Sequence, residues 1–131
     1  MINYHETDPE FMERFEHFAF DEVINEPGQQ LDDVTRHMAI LATLLGCQGT
    51  DMFRQELPCA LDAGVTPVMA KEIVYQAVDY LGIGRVFPFL RITNEVLTDR
   101  GVKLPLEGQA TTTMENRLEK EKLRARLETL D

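Results

Sequence analysis

The chain has 131 residues, 44% of them hydrophobic and 27% charged, with a formal net charge of −10. That length suits one domain with a core of ordinary size. The acidic balance argues against nucleic acid and against an anionic membrane surface, because both select cationic partners.

Apolar positions recur at helical spacing and no segment keeps a period of two, so the sequence predicts an all-α fold, a compact bundle of five to six helices. A first helix is expected from about Asp8 to Asn25, with Phe11, Phe15, Phe18 and Val23 among its apolar positions, and "NEPGQQ" ends it. The second starts at Asp32 or Asp33, either of which can cap it, and runs to Gly46. The third spans Thr50 to Gly64, with Pro58 expected to kink it or to leave one carbonyl unpaired. In "GVTP" the glycine stops that helix, Thr66 caps the next and Pro67 enters its first turn.

The fourth helix is expected to reach Leu81, where "GIG" breaks the chain. The fifth carries Val86, Phe87, Phe89, Leu90, Ile92, Val96 and Leu97 up to Gly101, and Phe87 and Phe89 point about 200° apart. A helix apolar on both sides is buried on both sides, which predicts a homo-oligomer, with much of the interface on the fourth and fifth helices. "VKLPLEGQATTT" is a loop, Thr112 and Glu115 can form a capping box, and a charged helix follows from Met114. Its Leu118, Leu123, Leu127 and Leu130 are read as one apolar stripe in need of a partner. The organisation is a helical domain over residues 1–108 and a linker with a charged helix over 109–131.

No apolar run reaches the roughly 18 residues of a membrane span. "MINYHETDPEF" has neither the basic region nor the apolar segment of a secretory signal, so a cytoplasmic protein is expected. Cys47 and Cys59 make neither a disulfide framework nor a zinc site, and are expected as reduced, buried thiols. No metal or other cofactor is implied.

Two ionisable residues fall on greasy faces. At about 100° per residue, Asp51, Arg54, Gln55, Pro58 and Asp62 form the polar stripe of the third helix. Glu56 turns away from it with Met52, Cys59, Ala60 and Ala63. On the second helix His37 sits among Ile40, Leu41, Leu44 and Leu45, opposite Thr35, Arg36 and Thr43. A lone buried carboxylate is costly and takes up a proton; paired with an imidazole, each stabilises the charged form of the other. His37 and Glu56 are therefore expected to meet, directly or through one water, as a catalytic pair or as a structural one.

The order "LDDVTRHMAILATLLG" and then "FRQELPCALDAGVTPVMAKEIVYQAVDYLGIGRVFPFLRITNEVL" resembles the carboxymuconolactone decarboxylase family, most sharply over "ALDAGVTPVMAKEIVYQAVDYLGIG". The resemblance covers about residues 31–98 and implies the all-helical alkylhydroperoxidase D-like fold, with protomers assembled as trimers or hexamers. The family's peroxidase branch carries Cys-x-x-Cys, a His four residues later and a Glu on the preceding helix. Those positions here hold Gly49, Met52, Glu56 and His37, so the acid–base pair is exchanged and the redox pair is missing. Gly84 and Pro88 also depart from the family's frequent Pro and Asn.

The resemblance thus implies a cofactor-independent decarboxylase acting on a small carboxylated lactone or related organic acid. His37 would be its general acid/base, Glu56 the residue that orients and charges it, and Arg36 and Tyr80 candidates for substrate binding. Two alternatives stand beside it: a peroxiredoxin-type alkylhydroperoxidase using Cys47 or Cys59, and a non-catalytic oligomeric binding domain.

Overall fold

Helix caps and glycine stops divide the chain much as their spacing suggests. The structure, a computed structural model, describes residues 3–109 and 114–130, which form eight α-helical segments and no strand. Two of these are single turns of four residues, leaving six longer helices. The chain divides into two compact units, Met1–Asp32 and Asp33–Asp131.

In the first unit, α1 (Tyr4–Thr7) opens on Asn3, whose side chain accepts the His5 backbone N–H at 3.1 Å. Pro9 starts α2 (Pro9–His17), and the same rod continues as a π-helical turn over Phe18–Glu22. The expected first helix is therefore present, but its second half is wound wider. His5 Nε2 meets Glu16 Oε1 at 2.5 Å, tying α1 to α2. Phe15 and Phe20 pack edge to face, with ring centroids 5.8 Å apart.

The second unit holds α3 (Asp33–Gly46), α4 (Thr50–Asp62), α5 (Pro67–Gln76), α6 (Val78–Leu81), α7 (Ile83–Asp99) and α8 (Met114–Glu128). Helix α3 packs on α4 and α5, and α7 packs on α4, α5 and α6. Their shared core includes Leu41, Leu45, Leu57 and Val74 around Phe53 and Phe89. Those two rings meet edge to face, 5.1 Å apart at 85°.

The turns follow from particular residues. Gly64 adopts φ +115°, and a Cβ there would also meet Val34 Cγ2 at 3.1 Å, so both backbone angle and space call for glycine. Thr66 Oγ1 accepts the Met69 N–H at 3.1 Å, and Pro67 fills the first turn of α5. The expected fourth helix is interrupted at Ala77, where ψ tightens to −19°. Of "GIG", only Gly82 leaves the helix, at φ +85°; Ile83 and Gly84 already belong to α7. Pro58 lies inside α4 without ending it, so the Arg54 carbonyl lacks its usual partner four residues on.

Two further expectations need correction or bounding. Leu118, Leu123, Leu127 and Leu130 are all exposed but do not form one stripe. Leu123, Leu127 and Leu130 share an arc of about 60°, whereas Leu118 lies about 140° from Leu123. The capping box at Thr112 falls outside the described residues. On α7, Phe89 is fully buried and Phe87 is 55% exposed, so the single chain covers Phe89 and leaves Phe87 largely open.

Candidate acid–base site

The contact between α3 and α4 is where the two misplaced ionisable residues come near each other. The buried arc of α4 is Phe53, Glu56, Leu57 and Ala60. Glu56 is 5% exposed, on the shoulder of that arc. On α3 the arc centres on Leu41 and Leu45, and His37 lies about 60° to one side of its centre, half-buried.

Burial pushes the Glu56 carboxyl above the usual carboxylate range, and the electrostatic attraction of His37 partly offsets that rise. The two groups are thus electrostatic neighbours. No direct hydrogen bond or ion pair joins them among the described residues, and the Glu56 carboxylate accepts none there from any other group. A largely buried carboxylate beside a half-buried imidazole is a costly arrangement in a core.

That cost has a pH signature. A carboxyl whose pKa is raised on folding contributes stability below its ordinary value of 4.5, and this is lost as pH rises through the folded value. Glu56→Gln removes the titration. Thermal melts from pH 4 to pH 8 are expected to show the variant more stable than the parent at pH 8, with the gap closing as pH falls to 4. A constant gap across that range would contradict the assignment.

The other proposed site residues lie elsewhere. The Arg36 guanidinium is engaged by Asp33 one turn earlier. Tyr80 is 91% exposed on α6, at the rim of an apolar cavity of about 630 Å³ between α3, α5 and α6. Neither His37 nor Glu56 takes part in the walls of that cavity; on α3 it is reached by Met38. Among the described residues no group of three His, Cys, Asp or Glu side chains could hold a metal ion.

A model of the carboxymuconolactone decarboxylase family matches residues 9–95. The chain belongs to the carboxymuconolactone decarboxylase family. No curated protein and no solved structure matches it. No helix among the described residues is long and apolar enough to cross a membrane.

The thiols bear on the peroxidase alternative. Both cysteines are free, and both are exposed rather than buried as expected. Cys59 falls about 130° from the centre of the α4 arc, because that arc is set by Phe53, Leu57 and Ala60. Its thiol is pushed up by burial, then by Glu56 and Asp62, with its own backbone hydrogen bond a smaller opposing effect. A peroxide-reactive cysteine needs the opposite shift and a resolving partner. Gly49, at one of the two redox positions, caps α4 beside Cys47: a Cβ there would lie 3.5 Å from the Cys47 sulfur. Assayed with peroxide and a dithiol reductant, the protein is expected to show no turnover. Consumption abolished by Cys47→Ser or Cys59→Ser would show this wrong.

The sequence reading passed over two polar contacts between helices. Lys71 on α5 is buried and donates to Asn94 Oδ1 on α7, and burial lowers its pKa. Arg54 on α4 donates to Glu95 Oε2 on α7 at 2.5 Å, which holds the Glu95 carboxyl low. The available signal for Lys71 was its place between Ala70 and Val74, both core residues of α5.

Proposed function

We propose that the chain is a decarboxylase-type lyase working by proton transfer at His37, with a small carboxylated lactone or related organic acid as substrate. One observation carries the proposal: a nearly buried carboxylate, Glu56, whose cationic neighbour is a half-buried and therefore reachable imidazole. Membership of the carboxymuconolactone decarboxylase family supports the reaction class.

In the step proposed, the bond between the substrate carbon and its carboxylate breaks, and CO2 leaves. The electron pair passes into the conjugated lactone carbonyl as an enolate. Protonated His37 then delivers its proton to that carbon, forming the new C–H bond, and recovers a proton from water. Glu56, when ionised, stabilises the imidazolium by charge, the same attraction that partly offsets the rise burial imposes on its carboxyl. Arg36, one residue before His37, is the candidate cation for a carboxylate that stays on the substrate, its guanidinium shared with Asp33. The step as written uses no cofactor.

The test is release of labelled CO2 from a carboxyl-labelled unsaturated lactone by the full chain. Release by the parent and its loss in His37→Ala supports the reading. Equal release by parent and variant overturns it.

A further inference from the structure

Lys71 is a buried amine that the acid–base site does not use. It is 7% exposed and lies on the inner face of α5 with Ala70 and Val74. Lysine is almost never buried to that degree unless it is paired with an opposite charge. Here Nζ donates to the side-chain oxygen of Asn94 on α7, and among the described residues no carboxylate forms an ion pair with it. An amide oxygen satisfies one N–H of the ammonium but neutralises none of its charge. Glu95, next to Asn94 on α7, is taken up by Arg54 and Arg91 instead.

Asn94 links this amine to the surface. The preceding residue, Thr93, is fully buried and donates its hydroxyl to the Phe89 carbonyl. Asn94 itself is half-buried and lines a cavity of about 470 Å³ with Glu95 and the exposed Thr98 and Asp99. The Lys71 amine thus stands one hydrogen bond behind the wall of a cavity that can hold a small organic molecule.

We propose that Lys71 is the amine of a carbonyl-binding site, forming an imine with a small uncharged aldehyde or ketone that enters through the Asn94 cavity. The carboxylates of Glu95 and Asp99 disfavour an anionic keto acid there, while the Asn94 amide and the Thr98 hydroxyl can donate to a carbonyl oxygen. Burial lowers the Lys71 pKa, which enlarges the neutral, nucleophilic fraction of the amine. Its lone pair forms a C–N bond with the carbonyl carbon, and the C=O π pair moves to oxygen. A proton passes from nitrogen to that oxygen, giving a carbinolamine. A proton borrowed from water lets the hydroxyl leave as water while the nitrogen lone pair forms the C=N bond, and nitrogen returns that proton. One amine and one carbonyl become one imine and one water, with nothing oxidised or reduced.

The site shares no residue with His37 and Glu56, so its test is independent of the decarboxylase reading. The full chain is incubated with propanal and cyanoborohydride at pH 7, which converts each imine into a stable propylamine, and the labelled lysines are mapped by mass spectrometry. Lys103, Lys120 and Lys122 are exposed and serve as internal standards. Each unit by which an amine pKa falls raises its neutral fraction at pH 7 about tenfold, so Lys71 is expected to label about tenfold or more faster than the three standards. Labelling of Lys71 no faster than theirs would overturn the proposal and leave a structural bolt between α5 and α7. Asn94→Asp keeps the shape of the partner and sets a carboxylate against the ammonium; it is expected to slow Lys71 about tenfold or more and to leave the standards unchanged. An unchanged Lys71 rate in that variant would also count against the site. With glyoxylate, an anionic aldehyde, the preference for Lys71 over Lys103 is expected to shrink, and a larger preference than with propanal would overturn the substrate class.

Discussion

His37→Ala is expected to lower decarboxylation by about 10²–10⁴-fold, the usual contribution of a positioned proton donor. The loss should fall on kcat rather than on KM, because the imidazole acts on a carbon whose charge exists only in the transition state. His37 is on the shoulder of the α3 arc, not at its centre, so truncation there removes a reachable ring without emptying the Leu41–Leu45 core. The folded fraction should therefore stay close to that of the parent, and circular dichroism run beside the kinetics checks this. Glu56→Gln should cost activity too, by a smaller factor, while stabilising the fold at neutral pH. Opposite signs on activity and stability at one residue are the mark of a group kept for chemistry. A variant that lost both would place Glu56 among the structural residues instead.

Phe89→Ala is expected to destabilise the protein by about 3–5 kcal/mol, as for other buried aromatic truncations. Phe89 is fully buried at the centre of α7 and closes edge to face on Phe53 of α4. The cavity left behind is walled by several helices that hold one another in place, so little collapse can refill it. Phe53→Ala should cost a similar amount. The double variant should fall short of the sum by about 0.5–1.5 kcal/mol, the share belonging to the ring pair itself. Urea titrations of the four proteins give these values. A loss below about 1 kcal/mol for Phe89→Ala would mean that α7 does not organise the core.

The start of α5 was legible in the sequence because Thr66 can cap a helix and Pro67 suits its first turn, and α3 and α4 start at Asp33 and Thr50 as expected. The π-turn at Phe18–Glu22 was not: "FAFDE" contains no residue whose stereochemistry demands a wider ring. The break at Ala77 is equally silent, being a small change in ψ at a residue that favours helix. For the site, periodicity brought His37 and Glu56 to the same helix contact, since each lay on an apolar arc. It misjudged the phase of α4 by placing Cys59 inside the arc, because a wheel weights all apolar residues alike whereas packing is set by the largest, Phe53 and Leu57. Lys71 was passed over because its burial depends on Asn94, a residue on a different helix and beyond the reach of any local pattern.

The position of α7 in the contact scheme bears on how the chain reaches its native state. The contacts of α3 with α4 form between neighbours in sequence and close early at small entropic cost. Phe53 receives its ring partner only from Phe89, 36 residues later. During synthesis α3, α4 and α5 precede α7, so the Phe53–Phe89 contact can form only once α7 has been made. Closure of this core thus waits on the synthesis of α7, and a nascent chain whose apolar faces are still uncovered is prone to aggregate.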